Sequence, residues 1–346
     1  YSIAGDGKTL NLRKYSWTKT LSVLYIDNPV GTGYSFTMHT EGYCTCEEEV
    51  GENLLQTIVQ FFQLFPELKK NNFYVTGESY GGKYAPALAY AIHENNKASA
   101  TKINLKGVAI GNGYSDPVNM LSYGKYLYEI GLIDVEIKNI FDETQKQARQ
   151  LIHDGEMEKA FETWDGLLNN DMNNSTSLFT NATGFKNYYN YLFSTDYDLD
   201  QAGVIVQQSY IRQKIHVGNL PFNEDKTCET HLKRDMMRSV APWIKVLLEN
   251  DYKFMTYNGQ LDIIVAYPLT VEFLQNLDWS GAEEYKNATR HVWKVNPSDK
   301  EVAGYVRFAR NLVEVLVRNA GHMVPADQPR VAYDLINRFI FAKSFY

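Results

Sequence analysis

Three polar residues in this sequence have the types that acyl-transfer chemistry needs, and each follows a run that reads as a buried strand. Ser79 follows Phe73-Tyr74-Val75-Thr76, Asp262 follows Lys253-Phe254-Met255-Thr256-Tyr257, and His322 follows Leu312-Val313-Glu314-Val315-Leu316-Val317. A neutral serine hydroxyl is a weak nucleophile. A histidine can take its proton, and a carboxylate behind that histidine can fix the imidazole tautomer and stabilise the imidazolium. Each residue also has a plainer explanation. An Asp after a strand is commonly a turn former, Asn258-Gly259 is itself a turn signal, and His322 is one of 7 histidines. The case rests on all three falling in loops after strands.

The elements around Ser79 are the most specific. Phe73 to Thr76 are β-branched or aromatic, which suits a short buried strand. Gly77, Gly81 and Gly82 bracket the serine, and Tyr84 to Ile92 reads as a helix with Pro86 in its first turn. Strand, glycine-flanked serine and helix together make the context of a nucleophile elbow, with free N–H groups at the helix start available to a developing negative charge.

Elsewhere, Leu21-Ser22-Val23-Leu24-Tyr25-Ile26 reads as a strand running into the glycine-rich Val30 to Phe36. No Lys-Ser/Thr pair follows Gly31 and Gly33, so a phosphate loop is not indicated. Apolar residues from Glu47 to Phe65 recur at helical spacing (Val50, Leu54, Ile58, Phe61, Phe62, Phe65) and Pro66 stops them. Leu105 to Gly113 gives a further strand and turn. This rhythm predicts a mostly parallel sheet with helices on both faces. It breaks after Pro117. Residues 117–248 look helical and loop-rich, an insertion capping the sheet, and 249–346 return to strand, loop and a closing amphipathic helix marked by Val331, Leu335, Ile336, Phe339 and Ile340. In a parallel sheet the three polar residues would share one edge. Their chain order, Ser, Asp, His, is the order of α/β-hydrolases. The expected division is therefore 1–116 and 249–346 as core, and 117–248 as cap.

Composition removes several alternatives. With 44% hydrophobic and 22% charged residues over 346 positions, the chain has the make-up of a globular protein with ample core. No run of about 18 apolar residues could span a membrane. The net charge of −7 comes without a basic cluster, which argues against nucleic acid as a partner. No cysteine or histidine pair has metal-ligand spacing, so neither metal nor cofactor is expected. Cys44, Cys46 and Cys228 are expected to give one disulfide and one free thiol. Glycosylation acceptors at Asn173, Asn174, Asn181 and Asn287 point to the secretory route, Asn173 and Asn174 overlapping so that one of them is used. The chain starts at Tyr1 without an initiator Met and reads as a fragment or processed product.

Gly77-Glu78-Ser79-Tyr80-Gly81-Gly82-Lys83-Tyr84, Asn258-Gly259-Gln260-Leu261-Asp262 and Gly321-His322-Met323-Val324-Pro325-Ala326-Asp327-Gln328-Pro329 resemble the three signature blocks of the serine carboxypeptidases. Asn28-Pro29-Val30-Gly31-Thr32-Gly33-Tyr34-Ser35 resembles a fourth. Within the family, Tyr74 to Tyr80, Ile215-His216-Val217-Gly218-Asn219 and Asn258 to Val265 look closest to the vitellogenic-like members. The resemblance implies an α/β-hydrolase fold and removal of C-terminal residues from peptides and proteins, through an acyl-enzyme, favoured at acidic pH. It implies Ser79 as nucleophile, His322 as base, Asp262 as orienter and the Tyr80 backbone N–H as oxyanion donor. Glu78 would help to recognise the substrate's terminal carboxylate as one of two acids sharing a proton. The secretory route indicated by the glycosylation acceptors leads to either a lysosome-like compartment or the outside of the cell, and the sequence leaves both open.

Against the family pattern, a block with paired glycines that supplies a second oxyanion donor, the partners of Glu78 and the first sheet strands are all expected upstream of Tyr1. One such donor is worth about 10²–10³ in rate. The competing readings are an acyltransferase or esterase on the same scaffold, and a glycoprotein that keeps the fold without catalysis.

Overall fold

The computed structural model describes residues 2–4, 9–100, 102–170, 172, 175–195, 201–224 and 226–345. Strands β1 (Ser2–Ile3) and β2 (Leu10–Asn11) pair as a small antiparallel ribbon. The main sheet is built from β3 (Phe73–Glu78), β4 (Leu105–Gly111), β5 (Lys253–Gly259), β6 (His291–Trp293), β7 (Gly304–Ala309) and β8 (Leu312–Val317). Its spatial order is β3-β4-β5-β8-β7-β6, with β3, β4, β5 and β8 parallel and the last two strands antiparallel. The parallel strands are those anticipated from β-branched and aromatic runs, and β5 carries Asn258 and Gly259 as its last two residues instead of yielding to a loop after Tyr257.

Both sheet faces are covered, as side chains alternating with period 2 require. On one face Val75, Val108, Ile110, Phe254 and Leu312 pack under helix α1 (Glu47–Leu64), helix α2 (Gly81–Ala98) and the Ala241–Glu249 helix. On the other, Ala109, Met255, Tyr257, Val315 and Val317 meet Leu335, Ile336 and Phe339 of the closing Pro329–Ile340 helix. Between β4 and β5 the described backbone is helix and loop, including α3 (Tyr123–Glu129) and the Val135–His153 and Met157–Leu168 helices. Its Asn223 forms an isolated antiparallel bridge with Gly33, in the glycine-rich loop that precedes α1 and outside either sheet.

Three expectations fail. Leu21 to Ile26 is not a strand and belongs to neither sheet. An apolar cavity of about 790 Å³ is lined both by this segment, at Leu21 and Val23, and by β3, at Phe73 and Val75, and no ladder joins the two. Second, α2 begins at Gly81, which puts Pro86 inside the helix and not in its first turn. Pro86 has no N–H for the carbonyl of Gly82, and the Ser115 hydroxyl donates to that carbonyl instead, at 2.8 Å. Third, all three cysteines are free. Their thiols take other partners: Cys44 Sγ accepts from the Asn53 amide at 3.2 Å, and Cys228 Sγ donates to the Val30 carbonyl at 3.3 Å.

Candidate active site

Because β3, β4, β5 and β8 run parallel, the loops after them open on one edge. Ser79, Asn112, Asp262 and His322 are the polar residues that follow these four strands in turn.

Ser79 occupies the left-handed backbone region at φ 59, an uncommon state for a side-chain-bearing residue that its surroundings must enforce. Its N–H donates to the Gly111 carbonyl at 3.0 Å, and its own carbonyl accepts from Gly82 (2.9 Å) and Tyr114 (3.0 Å). Two glycines make the turn sterically feasible. A Cβ on Gly77 would lie 2.5 Å from the Gly81 carbonyl oxygen, and one on Gly82 would lie 2.5 Å from the Tyr114 backbone nitrogen. Gly81, which the sequence pattern also singles out, faces open space. Tyr80 is the N-cap of α2, so its N–H has no intrahelical acceptor.

Asp262 and His322 are brought together. His322 Nδ1 lies 2.8 Å from Asp262 Oδ2, with the side chains 2% and 0% exposed. Burial disfavours the imidazolium, but the Asp262 charge, the hydrogen bond to it and Glu78 outweigh that cost and raise the His322 pKa above its ordinary 6.5. His322 Nε2 is buried without a hydrogen-bond partner, so the imidazole is not bonded to Ser79 here. Such bonds often close only when substrate arrives. The arrangement leaves one ring nitrogen free to accept a proton while the other is held by a carboxylate.

Glu78, the last residue of β3, is partly buried. Burial pushes its pKa up to about 7; His322 opposes the rise, while Asp262 and Asp327 add to it. A carboxylic acid that keeps its proton into the neutral range can donate a hydrogen bond to another carboxylate.

Asn112 has no role that its local sequence pattern assigns. Its Nδ2 donates to Asp262 Oδ2 at 2.6 Å, and its Oδ1 accepts from the Gly259 N–H at 3.2 Å. It is fully buried at φ 42. The available signal was Gly111-Asn112-Gly113 at the end of a strand on the reactive edge. Two tyrosines of α3 were also missed: Tyr126 donates to the carbonyl of Asp262 and Tyr123 to that of Ile264, both at 2.8 Å.

Of the glycosylation acceptors, Asn181 and Asn287 are exposed, on the Leu178–Thr183 and Ala282–Asn287 helices. Asn173 and Asn174 lie outside the described residues. No helix among the described residues is long and apolar enough to cross a membrane.

Comparison with known proteins agrees with this geometry. The Peptidase S10 serine carboxypeptidase family matches residues 1–342. The venom serine carboxypeptidase of Apis mellifera is 51% identical over 346 residues, covering 99% of this chain and 73% of its own length. The human probable serine carboxypeptidase CPVL is 48% identical (99% and 72%), and the vitellogenic carboxypeptidase of Aedes aegypti 48% identical (96% and 70%). Among solved structures, the Kex1 prohormone-processing carboxypeptidase of Saccharomyces cerevisiae superposes with a TM-score of 0.83 at 25% identity, over 98% of this chain and 78% of its own. The fold is accordingly that of an α/β-hydrolase, as the Ser, Asp, His order led one to expect.

Proposed function

The chain belongs to the serine carboxypeptidase family, and on that premise we propose that it releases C-terminal residues from peptides by acyl transfer through Ser79. The Ser79 hydroxyl attacks the last peptide carbonyl while His322 Nε2 takes its proton. Asp262 holds the Nδ1–H and stabilises the imidazolium. The tetrahedral oxyanion receives the Tyr80 N–H at the start of α2. Collapse expels the terminal amino acid, whose amine takes the proton back from His322. Water then repeats the sequence on the acyl-enzyme.

Glu78 supplies the exopeptidase character: kept protonated, it donates to the substrate's terminal carboxylate. Its ionisation as pH rises would repel that carboxylate, which is a physical reason for an acidic optimum. Residues 117–248 act as the cap over this edge. Exposed Asn181 and Asn287 carry the glycans in this reading, with a lysosome-like or extracellular destination.

The observation that carries the proposal is the buried Asp262–His322 pair beside a serine held at positive φ. The test compares a blocked dipeptide with its C-terminal amide near pH 5, alongside fluorophosphonate labelling of Ser79. Strong preference for the free acid is expected. Equal turnover would leave an esterase or acyltransferase, and absence of labelling would leave an inert binder.

A further inference from the structure

The loops that carry Asp262 and His322 are tied to each other through a third segment that belongs to neither, the turn over residues 187–193. Tyr191 N–H donates to the Leu261 carbonyl at 3.0 Å, and the Tyr188 carbonyl accepts from Ile263 (3.2 Å) and Ile264 (3.1 Å). Asp262 is thus bracketed on both sides. The next carbonyl along, that of Tyr189, accepts from the His322 N–H at 2.6 Å. The Tyr189 ring also lies 5.0 Å from the imidazole, tilted by 30°. The fit leaves no slack, for a Cβ on Gly321 would sit 2.3 Å from the Tyr189 carbonyl oxygen.

What gives this turn its shape is Asn187. Its side chain is 2% exposed. Its Oδ1 accepts from the Tyr189 N–H at 2.7 Å, and its Nδ2 donates to the carbonyls of Asn190 (3.1 Å) and Phe193 (2.9 Å). Three of its four hydrogen-bonding positions are therefore filled by backbone of its own turn. Asn190 adds a second tie. Its Nδ2 lies 3.3 Å from Asp327 Oδ2, the oxygen that accepts the Gly321 N–H at 2.7 Å.

We propose that Asn187 is a positioning residue for the Asp262–His322 pair, fixing through its turn the separation and tilt of two loops that come from different strands. The inference rests on the proposed roles of Ser79, Asp262 and His322. Its physical basis is that reacting groups must be held to within fractions of an ångström, and a misplacement of 1 Å can cost about 10²-fold. A turn lacking these bonds would still cover the site but would no longer set its geometry.

The test uses the full chain. Asn187→Ala is expected to lower kcat on a blocked dipeptide by about 10²-fold with KM within about threefold, and to slow fluorophosphonate labelling of Ser79 in parallel. A role in stability alone would lower the melting temperature and leave kcat per folded molecule unchanged, and that result overturns the proposal. Should Asn187→Ala fail to fold, Asn187→Ser decides. Its hydroxyl can still accept from the Tyr189 N–H but cannot supply the two amide donors to the Asn190 and Phe193 carbonyls. Again kcat should fall with KM within about threefold. An unchanged kcat in the folded variant would sink the idea. Wild-type labelling separates the two levels: if Ser79 of the wild type does not react, the catalytic reading falls and the inference with it. If it reacts and both variants behave as wild type, only the positioning role falls.

Discussion

Two buried charge clusters, the front one at Asp262 and His322 and the rear one at Lys83 in the first turn of α2, are completed in different ways. In front, Asp262 Oδ2 holds His322 and Asn112, while Asp262 Oδ1 and His322 Nε2 have no hydrogen-bond partner. Behind, Lys83 is fully buried, and its ammonium donates to the Asp235 carbonyl, to Asp235 Oδ2 at 3.1 Å and to the Met236 carbonyl at 3.4 Å. Asp235 Oδ1 in turn receives Arg238 at 3.1 Å. Burial dominates at the rear, lowering the Lys83 pKa and pushing that of neighbouring Glu47 up to about 8. The difference is one of closure. The rear cluster uses every Lys83 donor and ties α2 to the segment carrying Asp235, with both oxygens of neighbouring Glu47 left unpartnered. In the front cluster the acceptor left over is the Nε2 of a base, His322, which can act on a substrate.

That contrast predicts where a mutation hits the rate and where it hits stability. Asp262→Asn has the largest expected effect: it leaves the packing intact and disrupts the imidazole tautomer, so kcat should fall about 10⁴-fold with little change in melting temperature. A loss smaller than tenfold would mean that the front cluster is structural after all. Lys83→Met comes next and acts on the other axis. It leaves the buried Asp235 carboxylate with Arg238 alone and removes the cation beside buried Glu47, so the chain should lose about 3–5 kcal/mol of stability, measured by denaturant unfolding, while kcat per folded molecule stays within about threefold. Adding Asp235→Leu should restore much of that stability, because a buried pair replaced by apolar groups costs far less than a pair broken in half.

How far the sequence reveals these clusters follows from the range of the forces involved. Ser79, Asp262 and His322 are legible because each follows a strand in sequence, and parallel strands deliver their loops to one edge. Strands β3, β4, β5 and β8 announce themselves through β-branched and aromatic runs. Leu21 to Ile26 has the same local character but fails as a strand, since pairing depends on a neighbour that no local pattern encodes. Pro86 misplaces the start of α2 because the remedy for its missing N–H, the Ser115 hydroxyl, lies 29 positions on from it in sequence. Asn112, Asn187 and Asp235 stay hidden for the same reason. Each acts across more than a hundred residues or through a turn whose shape has no periodicity.

Asn112→Ala sharpens the comparison at smaller scale. The hydrogen bond it removes is made to a carboxylate, worth about 1.5–3 kcal/mol. Because Asp262 keeps His322, that loss should appear as a fall of roughly 10- to 100-fold in kcat/KM with the chain still folded. An effect on stability with kcat/KM unchanged would move Asn112 to the closed kind of cluster.

The smallest effect is the one that tests whether the open cluster reads a carboxyl end. Glu78 has its pKa raised by burial to about 7, so below that pH it carries a proton and above it a charge. A substrate with a free C-terminal carboxylate loses its donor and meets a like charge as pH rises through 7, and its kcat/KM should drop about tenfold per further pH unit. His322 complicates the raw profile, because its own raised pKa means that the base becomes competent only as pH climbs. That limb is common to every substrate. The ratio of kcat/KM for a blocked dipeptide to that for its C-terminal amide cancels it and isolates Glu78. The ratio should be flat at acidic pH, turn down near 7, and lose that downturn in Glu78→Gln, which can still donate a hydrogen bond but has no charge to gain. A ratio independent of pH in the wild type would remove Glu78 from substrate recognition while leaving the Asp262–His322 pair untouched.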